Sequence, residues 1–207
     1  MVTMNFHTRV KLNNGVEMLI LVLGTWQMRG KQAEESVRYA QDTSYRHFDT
    51  AAVYENEEDV GRAIRSSTIS RDEIFITTKV SNNDQGHNLT VTAFENSLKK
   101  LKLSYIDLYL IHWPLPNLRN ETWKAMEVIL KYGKCRAIGV SNFSINHLQQ
   151  LMDQSPTIPA INQVEYSPYL NQKDILEFCL ANRIQLEAYS PLTRGNRLKD
   201  SGFVSIV

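Results

Sequence analysis

The stretch YRHFDTAAVYENEEDVGRA, residues 45–63, decides how the rest of the chain is interpreted. It opens with a short segment that ends on Asp49, continues through a loop to Tyr54 and enters an amphipathic run. A strand that ends on a charged residue before a loop and a helix is typical of a βα unit, which presents chemistry at its carboxyl end. An Asp and a Tyr at this spacing can face one cavity, although an isolated Asp before a helix is more often a cap or turn residue.

The same pattern recurs along the chain. Strand-like segments end at positions 49, 79, 112, 142, 163 and 190, and helical segments lie between them. Strands that alternate with helices predict an α/β fold with a parallel sheet. An open doubly wound sheet would carry a glycine-rich first turn for a dinucleotide, and no G-x-G occurs in the sequence. Polar residues at successive strand ends favour a (β/α)8 TIM barrel, in which all strand ends surround one mouth.

An N-terminal β-hairpin precedes this pattern. Extended runs at residues 4–12 and 16–23 flank Asn13-Asn14-Gly15, a strong hairpin signal. We count six βα units, whereas a complete barrel has eight strands in about 250 residues. The expectation is one domain over residues 1–207, an incomplete barrel without its last two units. Its open sheet edges are expected at residues 45–49 and 184–190.

Composition argues against several function classes. The chain has 207 residues with 23 Lys and Arg against 22 Asp and Glu, so charge gives no reason to bind nucleic acid or an acidic membrane. The N-terminus has no signal-peptide pattern, and residues 19–23 are too short to cross a bilayer. Cys135 and Cys179 are far apart and typical of a reducing compartment, so we expect a cytoplasmic protein. The histidines show no metal-site spacing, and no metal is expected.

Four residues of the strand-end pattern suit acid–base chemistry: Asp49, Tyr54, Lys79 and His112. A phenol has a pKa near ~10, which makes it a poor acid at neutral pH. A lysine ammonium beside it favours the phenolate and lowers that pKa, and an aspartate can hold the ammonium in place. A histidine nearby can hydrogen-bond a carbonyl oxygen. The set therefore suits proton delivery to a developing alkoxide.

Six segments, in this order, resemble the aldo-keto reductase superfamily: DTAAVYENEEDVG, IFITTK, YIDLYLIHWP, AIGVSNF, INQVEYSP and AYSPL. The likeness extends over about residues 4–192 and is greatest to carbonyl reductases of the aldose reductase and 2,5-diketogluconate reductase type. The resemblance implies an oxidoreductase that uses NADPH to reduce a small aldehyde or ketone.

The resemblance also implies roles for individual residues. Tyr54 would be the general acid, Lys79 would tune its pKa, Asp49 would pair with the lysine, and His112 would orient the carbonyl. The implied cofactor contacts are Gly24, Thr25, Asp49, Ser141, Asn142, Gln163, Tyr189, Ser190 and Leu192. The implied substrate contacts are Trp26, His112 and Trp113.

Two function classes stay open. The four catalytic candidates favour an active reductase. The family's eighth strand and its K-S-x-x-x-x-R element, which grips the 2′-phosphate of NADP, do not occur in the sequence. That favours a catalytically inactive fragment or a regulatory or interaction module. Asn142 also has a simpler alternative, as the cap of the helix that follows it.

Overall fold

The computed structural model describes residues 4–201, which form a small hairpin and a seven-stranded parallel sheet. The sheet strands pair in chain order, so each crossover returns to the neighbouring position. They are β3 (Leu23–Gly24), β4 (His47–Asp49), β5 (Phe75–Val80), β6 (Ile106–Ile111), β7 (Cys135–Ser141), β8 (Ile161–Glu165) and β9 (Gln185–Tyr189). The helices that connect them are α1 (Gly30–Asp42), α2 (Glu57–Arg65), α3 (His87–Leu101), α4 (Arg119–Lys131), α5 (Ile145–Gln154) and α6 (Lys173–Ala181).

The hairpin consists of β1 (Arg9–Lys11) and β2 (Glu17–Leu19), joined through the predicted Asn-Gly turn. Gly15 has a φ of +89°, a conformation that costs glycine little and other residues much. Three hairpin side chains, Leu12, Met18 and Leu19, are buried against Phe75, Leu108, Leu110, Ala137 and Ile161. The hairpin thus closes the amino-terminal end of the barrel.

Alternate residues of each strand enter two separate cores. In β6, Leu108 and Leu110 face the barrel interior, whereas Tyr109 and Ile111 pack outward beneath the helices. The outer core is the larger of the two and includes Phe94 of α3 and Trp123 of α4. Both faces of the strands are buried, as parallel sheets require. The interior face is the one that leads to the mouth.

The predicted α/β barrel with an N-terminal hairpin and about six βα units is confirmed, although the sheet has seven strands rather than six. Leu23–Gly24 pairs in parallel with Phe48–Asp49 and adds a seventh strand before the six that the sequence indicated. The sheet edge expected at residues 45–49 is therefore covered, and β3 forms that edge instead. Two residues are too few to show the alternation that marks a strand, and the sequence pattern placed Leu23 in the second extended run of the hairpin. No helix among residues 4–201 is long and apolar enough to cross a membrane.

Candidate active site

Lys79 and Asp49 form a buried ion pair at the carboxyl ends of adjacent strands. Lys79 follows Phe75 and Thr77 on the inward face of β5, so strand alternation directs its side chain into the barrel. Its Nζ lies 2.5 Å from Asp49 Oδ1 and 3.0 Å from the carbonyl oxygen of Thr50. The exposed fractions of Lys79 and Asp49 are 1% and 7%. Burial of both charges is tolerated because each has a partner of opposite sign.

Tyr54 lies above this pair at the end of a short 3-10 helix, Ala52–Tyr54, and is partly exposed at the mouth. The centroid of its ring is 5.3 Å from Lys79 Nζ and 5.7 Å from the centroid of the His112 ring. The structure thus brings Asp49, Tyr54, Lys79 and His112 together, although they come from three separate βα units.

The loop that carries Tyr54 is held by Asn56, whose role the sequence did not reveal. Asn56 is fully buried, and its Oδ1 accepts a hydrogen bond of 2.6 Å from Thr50 Oγ1. Its Nδ2 donates to the carbonyl oxygens of Thr25 and Met28, both at 2.8 Å. One amide therefore ties the Tyr54 loop to the loop after β3. The signal in the sequence is an asparagine directly before an acidic helix start, a position where asparagine is commonly a cap.

The pKa values of Tyr54, Lys79 and His112 are shifted from their ordinary values. Burial raises the pKa of Tyr54, and the positive charge of Lys79 only partly opposes this. The charge of Lys79 lowers the pKa of Tyr54, as the sequence predicts, but the desolvation of the phenol raises it by more. Burial lowers the pKa of Lys79, but Asp49 and Tyr54 outweigh it, so the net shift is upward and the ammonium stays charged.

His112 is neutral at physiological pH. Burial, followed by the charge of Lys79, lowers the pKa of His112 to about 4. A neutral imidazole has one N–H to donate and one nitrogen that accepts. The ring can therefore donate a hydrogen bond to a carbonyl oxygen without bringing a second positive charge beside Lys79.

Residues in or directly after the carboxyl-terminal halves of β7, β8 and β9 form one hydrogen-bonded group. Asn142 Nδ2 donates to the carbonyl oxygen of His112 at 2.9 Å and to Ser141 Oγ at 3.0 Å. Tyr189 Oη donates to Asn142 Oδ1 at 3.0 Å, and Ser141 Oγ donates to the carbonyl oxygen of Gln163 at 2.9 Å. Asn142 does not cap α5, because Ser144 is the N-cap and accepts from the backbone N–H of His147.

Backbone strain marks two of these strand ends. Asn142 has a φ of +63° and Ser190 a φ of +50°, which place both in the left-handed region that favours glycine. Left-handed backbone outside glycine concentrates at ligand sites, where the surrounding structure holds it. Leu192, two residues after Ser190, is 55% exposed.

Gly24 and Thr25 lie at the end of β3, beside Asp49. The backbone N–H and the Oγ1 of Thr25 both donate to the carbonyl oxygen of Asp49, at 2.9 and 3.0 Å. Thr25 is fully buried, whereas Gly24 is exposed. The Thr25 hydroxyl thus holds the backbone of Asp49 in place.

An open cleft of about 390 Å³ leads to Tyr54. Its lining residues are Trp26, Gln27, Arg29, Val53 and Tyr54. Trp26 is 45% exposed, and the guanidinium carbon of Arg194 lies 4.5 Å from its ring centroid, which joins the loop after β9 to the loop after β3. Trp113 is 47% exposed but does not line this cleft. A smaller cleft of about 110 Å³ lies between α2 and α3 and contains none of the four residues.

The polar groups around Gln163 fit a nicotinamide carboxamide. Gln163 Nε2 donates to Asp49 Oδ2 at 2.9 Å and to Glu187 Oε1 at 2.8 Å, and no hydrogen bond to Gln163 Oε1 is found among residues 4–201. That oxygen is an available acceptor for the amide N–H groups of a carboxamide. The half-exposed ring of Tyr189 offers a flat apolar face beside it.

Comparison with known proteins identifies the family. The profile described as Aldo/keto reductase family matches residues 20–202. Glyoxal reductase of Bacillus subtilis (strain 168) is 49% identical over 198 residues, which are 95% of this chain and 72% of that protein.

Two solved structures are also similar. An aldo/keto reductase from Brucella melitensis superposes with a TM-score of 0.92 at 44% identity, covering 96% of this chain and 77% of that one. A Bombyx mori aldo-keto reductase solved in complex with NADP gives a TM-score of 0.83 at 36% identity, covering 88% and 66%.

A near-closed parallel barrel with a Tyr–Lys–Asp–His group at its carboxyl mouth defines a class of carbonyl-reducing oxidoreductases. The chain belongs to the aldo/keto reductase family.

Proposed function

We propose that the protein reduces small aldehydes and ketones with NADPH, and that 1,2-dicarbonyl compounds such as glyoxal are its preferred substrate class. One observation carries the proposal: Tyr54 lies over a buried Lys79–Asp49 pair and beside a neutral His112, at the base of an open cleft. The similarity to glyoxal reductase of Bacillus subtilis supports the substrate class.

The proposed reaction adds a hydride to the carbonyl carbon and a proton to the carbonyl oxygen. NADPH, when bound, supplies the hydride. The N–H of neutral His112 donates to the carbonyl oxygen and orients it toward the Tyr54 hydroxyl. As negative charge develops on that oxygen, the O–H of Tyr54 transfers its proton, and Lys79 stabilises the phenolate that remains. Asp49 keeps the ammonium in place throughout.

The proposed cofactor contacts follow from the donor set. Gln163 Oε1 and the Ser141–Asn142 pair would hold the carboxamide, and Tyr189 would stack on the ring. Gly24, Thr25, Ser190 and Leu192 border the remaining path along the mouth. The NADP complex of a similar structure supports NADP rather than another dinucleotide. Trp26 lines the cleft and would bound the substrate there, and Trp113 would bound it from outside the cleft. We place this activity in the cytoplasm, in keeping with two buried free cysteines.

The test is NADPH oxidation by the 207-residue protein with glyoxal as substrate. Tyr54→Phe removes the proton donor and keeps the ring, so turnover should fall by about 10²- to 10⁴-fold. Tyr132→Phe is the matched control, because Tyr132 is 76% exposed and lies between α4 and the start of β7, at the end of the barrel opposite the mouth. Equal turnover by the wild-type and Tyr54→Phe proteins, or no turnover by either, would contradict the proposed function.

A further inference from the structure

Glu187 is a carboxylate inside the barrel that the proposed reaction does not use. It lies in the middle of β9 and pairs in register with Gln163 of β8. Its Oε1 accepts a hydrogen bond of 2.8 Å from Gln163 Nε2, and the same nitrogen donates to Asp49 Oδ2 at 2.9 Å. One amide group therefore bridges two carboxylates, one of which belongs to the Lys79 ion pair.

The second oxygen of Glu187 is unsatisfied. The side chain is half-buried overall, but Oε2 is closed off from solvent and has no hydrogen-bond partner in the described part of the chain. A buried carboxylate oxygen without a partner is costly when the group is ionised. A protonated carboxyl avoids most of that cost, because the neutral form is desolvated cheaply.

The charged groups that face Glu187 come from two other strands. Asp49 of β4 repels its negative charge, and Lys79 of β5 attracts it, while Gln163 of β8 is neutral. Burial, followed by the charge of Asp49, raises the pKa of Glu187 to about 7, against the hydrogen bond from Gln163 and the charge of Lys79. Glu187 therefore changes its charge within the physiological range.

We propose that Glu187 is a positioning residue of the active site, which acts through Gln163 and whose protonation state sets the acidity of Tyr54. Two features of the geometry carry this. The carboxyl of Glu187 fixes the amide of Gln163 with its nitrogen toward Asp49, so the amide oxygen is left for a ligand. It also places a second carboxylate next to a pair that has only one lysine. This inference rests on the proposed function for its catalytic consequence but not for its protonation chemistry.

The direction of the effect follows from charge. Ionised Glu187 adds a negative charge beside Lys79 and offsets part of the ammonium charge, so the phenolate of Tyr54 is stabilised less and the phenol is a weaker acid. Protonated Glu187 leaves the charge of Lys79 opposed by Asp49 alone, and the phenol becomes a stronger acid. Carbonyl reduction should therefore weaken as the pH rises through about 7.

The deciding measurement needs no cofactor. Glu187→Gln keeps an oxygen for Gln163 Nε2 and removes the titrating charge. The protein is labelled with ¹³C at glutamate carboxyl and tyrosine Cζ positions and titrated by NMR. The wild type should show one glutamate that titrates near pH 7, absent from Glu187→Gln. The Tyr54 resonance, identified by its loss in Tyr54→Phe, should titrate about half to one pH unit lower in Glu187→Gln.

Glu177→Gln is the matched control, since Glu177 lies on α6 next to β9 with a side chain that is 63% exposed. It should leave both titrations unchanged. A Tyr54 pKa that is the same in the wild type and Glu187→Gln would overturn the proposal, as would the absence of a glutamate titrating near neutrality.

A kinetic arm separates this inference from the proposed function. In the wild type, kcat/KM for glyoxal should fall by about 2- to 5-fold as pH rises through 7, since proton-transfer rates follow the acidity of the donor. Glu187→Gln should lack that step and keep the higher value. If both NMR shifts appear but no protein turns over glyoxal, the proposed function fails and the role of Glu187 stands. A pH step that survives in Glu187→Gln contradicts that role.

Discussion

The barrel interior has two halves that are built from the same strands and contain opposite chemistry. Near the amino-terminal ends, Phe75, Leu108 and Ile161 pack against the hairpin in an apolar layer. Two residues further along, the inward-facing residues are Thr77 in β5 and Gln163 in β8. The next inward-facing residue of β5 is Lys79. The lower half gains stability from apolar burial, whereas the upper half holds charges whose burial must be compensated pair by pair.

His47 marks the boundary between these halves. Its Nδ1 lies 2.9 Å from the carbonyl oxygen of Leu19, and its Nε2 lies 2.8 Å from Thr77 Oγ1. A carbonyl oxygen only accepts, so Nδ1 carries the proton and Nε2 accepts from the threonine hydroxyl. The ring links the hairpin to the polar layer. The lower layer therefore supplies packed apolar core, whereas the upper layer holds the buried polar and charged groups.

The largest stability effect should come from the lower half. Leu108→Ala deletes a fully buried side chain from the apolar layer and should lower the free energy of unfolding by about 2–5 kcal/mol. Urea denaturation followed by fluorescence measures the change. Leu180→Ala is the control, because that leucine on α6 is 66% exposed and should cost well under about 1 kcal/mol. Equal losses in the two variants would show that the lower half is not a packed core.

A smaller effect should appear at the boundary as a pH dependence. Burial lowers the pKa of His47 to about 4, from an ordinary value of 6.5. Between these values the unfolded chain binds more protons than the folded one, so the free energy of unfolding falls as the pH is lowered. From pH 7 to pH 5 the contribution of His47 should be about 1–2 kcal/mol.

Comparison with His47→Gln isolates this contribution. Glu187 acts with the opposite sign in the same range, because its pKa is raised in the folded state, but it is common to both proteins. His112 is likewise common to both. The urea-derived stability of His47→Gln should therefore lose less between pH 7 and pH 5 than that of the wild type. Parallel pH curves for the two proteins would show that the histidine is not held neutral.

The sequence predicted most of the upper half because its residues lie at the ends of clear strands. Asp49, Lys79 and His112 each end a strand-like segment, and the strand ends of a barrel surround one mouth. The helices lie between these strands, as the alternation of strand-like and helical segments predicts.

What the sequence did not show depends on tertiary contacts. Glu187 has the same inward parity as Tyr189, yet a glutamate within a strand also suits an exposed edge, and only the register with Gln163 shows its role. The β3 strand has two residues and no pattern of its own. The raised pKa of Tyr54 required its burial to be known, because the charge of Lys79 alone predicts the reverse. Each of these is set by packing across βα units rather than by local spacing.

This division of the barrel interior assigns the chemistry to the upper half and folding stability to the lower. Its most direct test is kcat/KM for glyoxal, per folded molecule, in Lys79→Met and Leu108→Ala at a temperature where both remain folded. Lys79→Met removes the charge that stabilises the Tyr54 phenolate and should lose about 10²- to 10⁴-fold, whereas Leu108→Ala should stay within a few-fold of wild type. Near-normal turnover by Lys79→Met, or an equal loss in Leu108→Ala, would contradict the division.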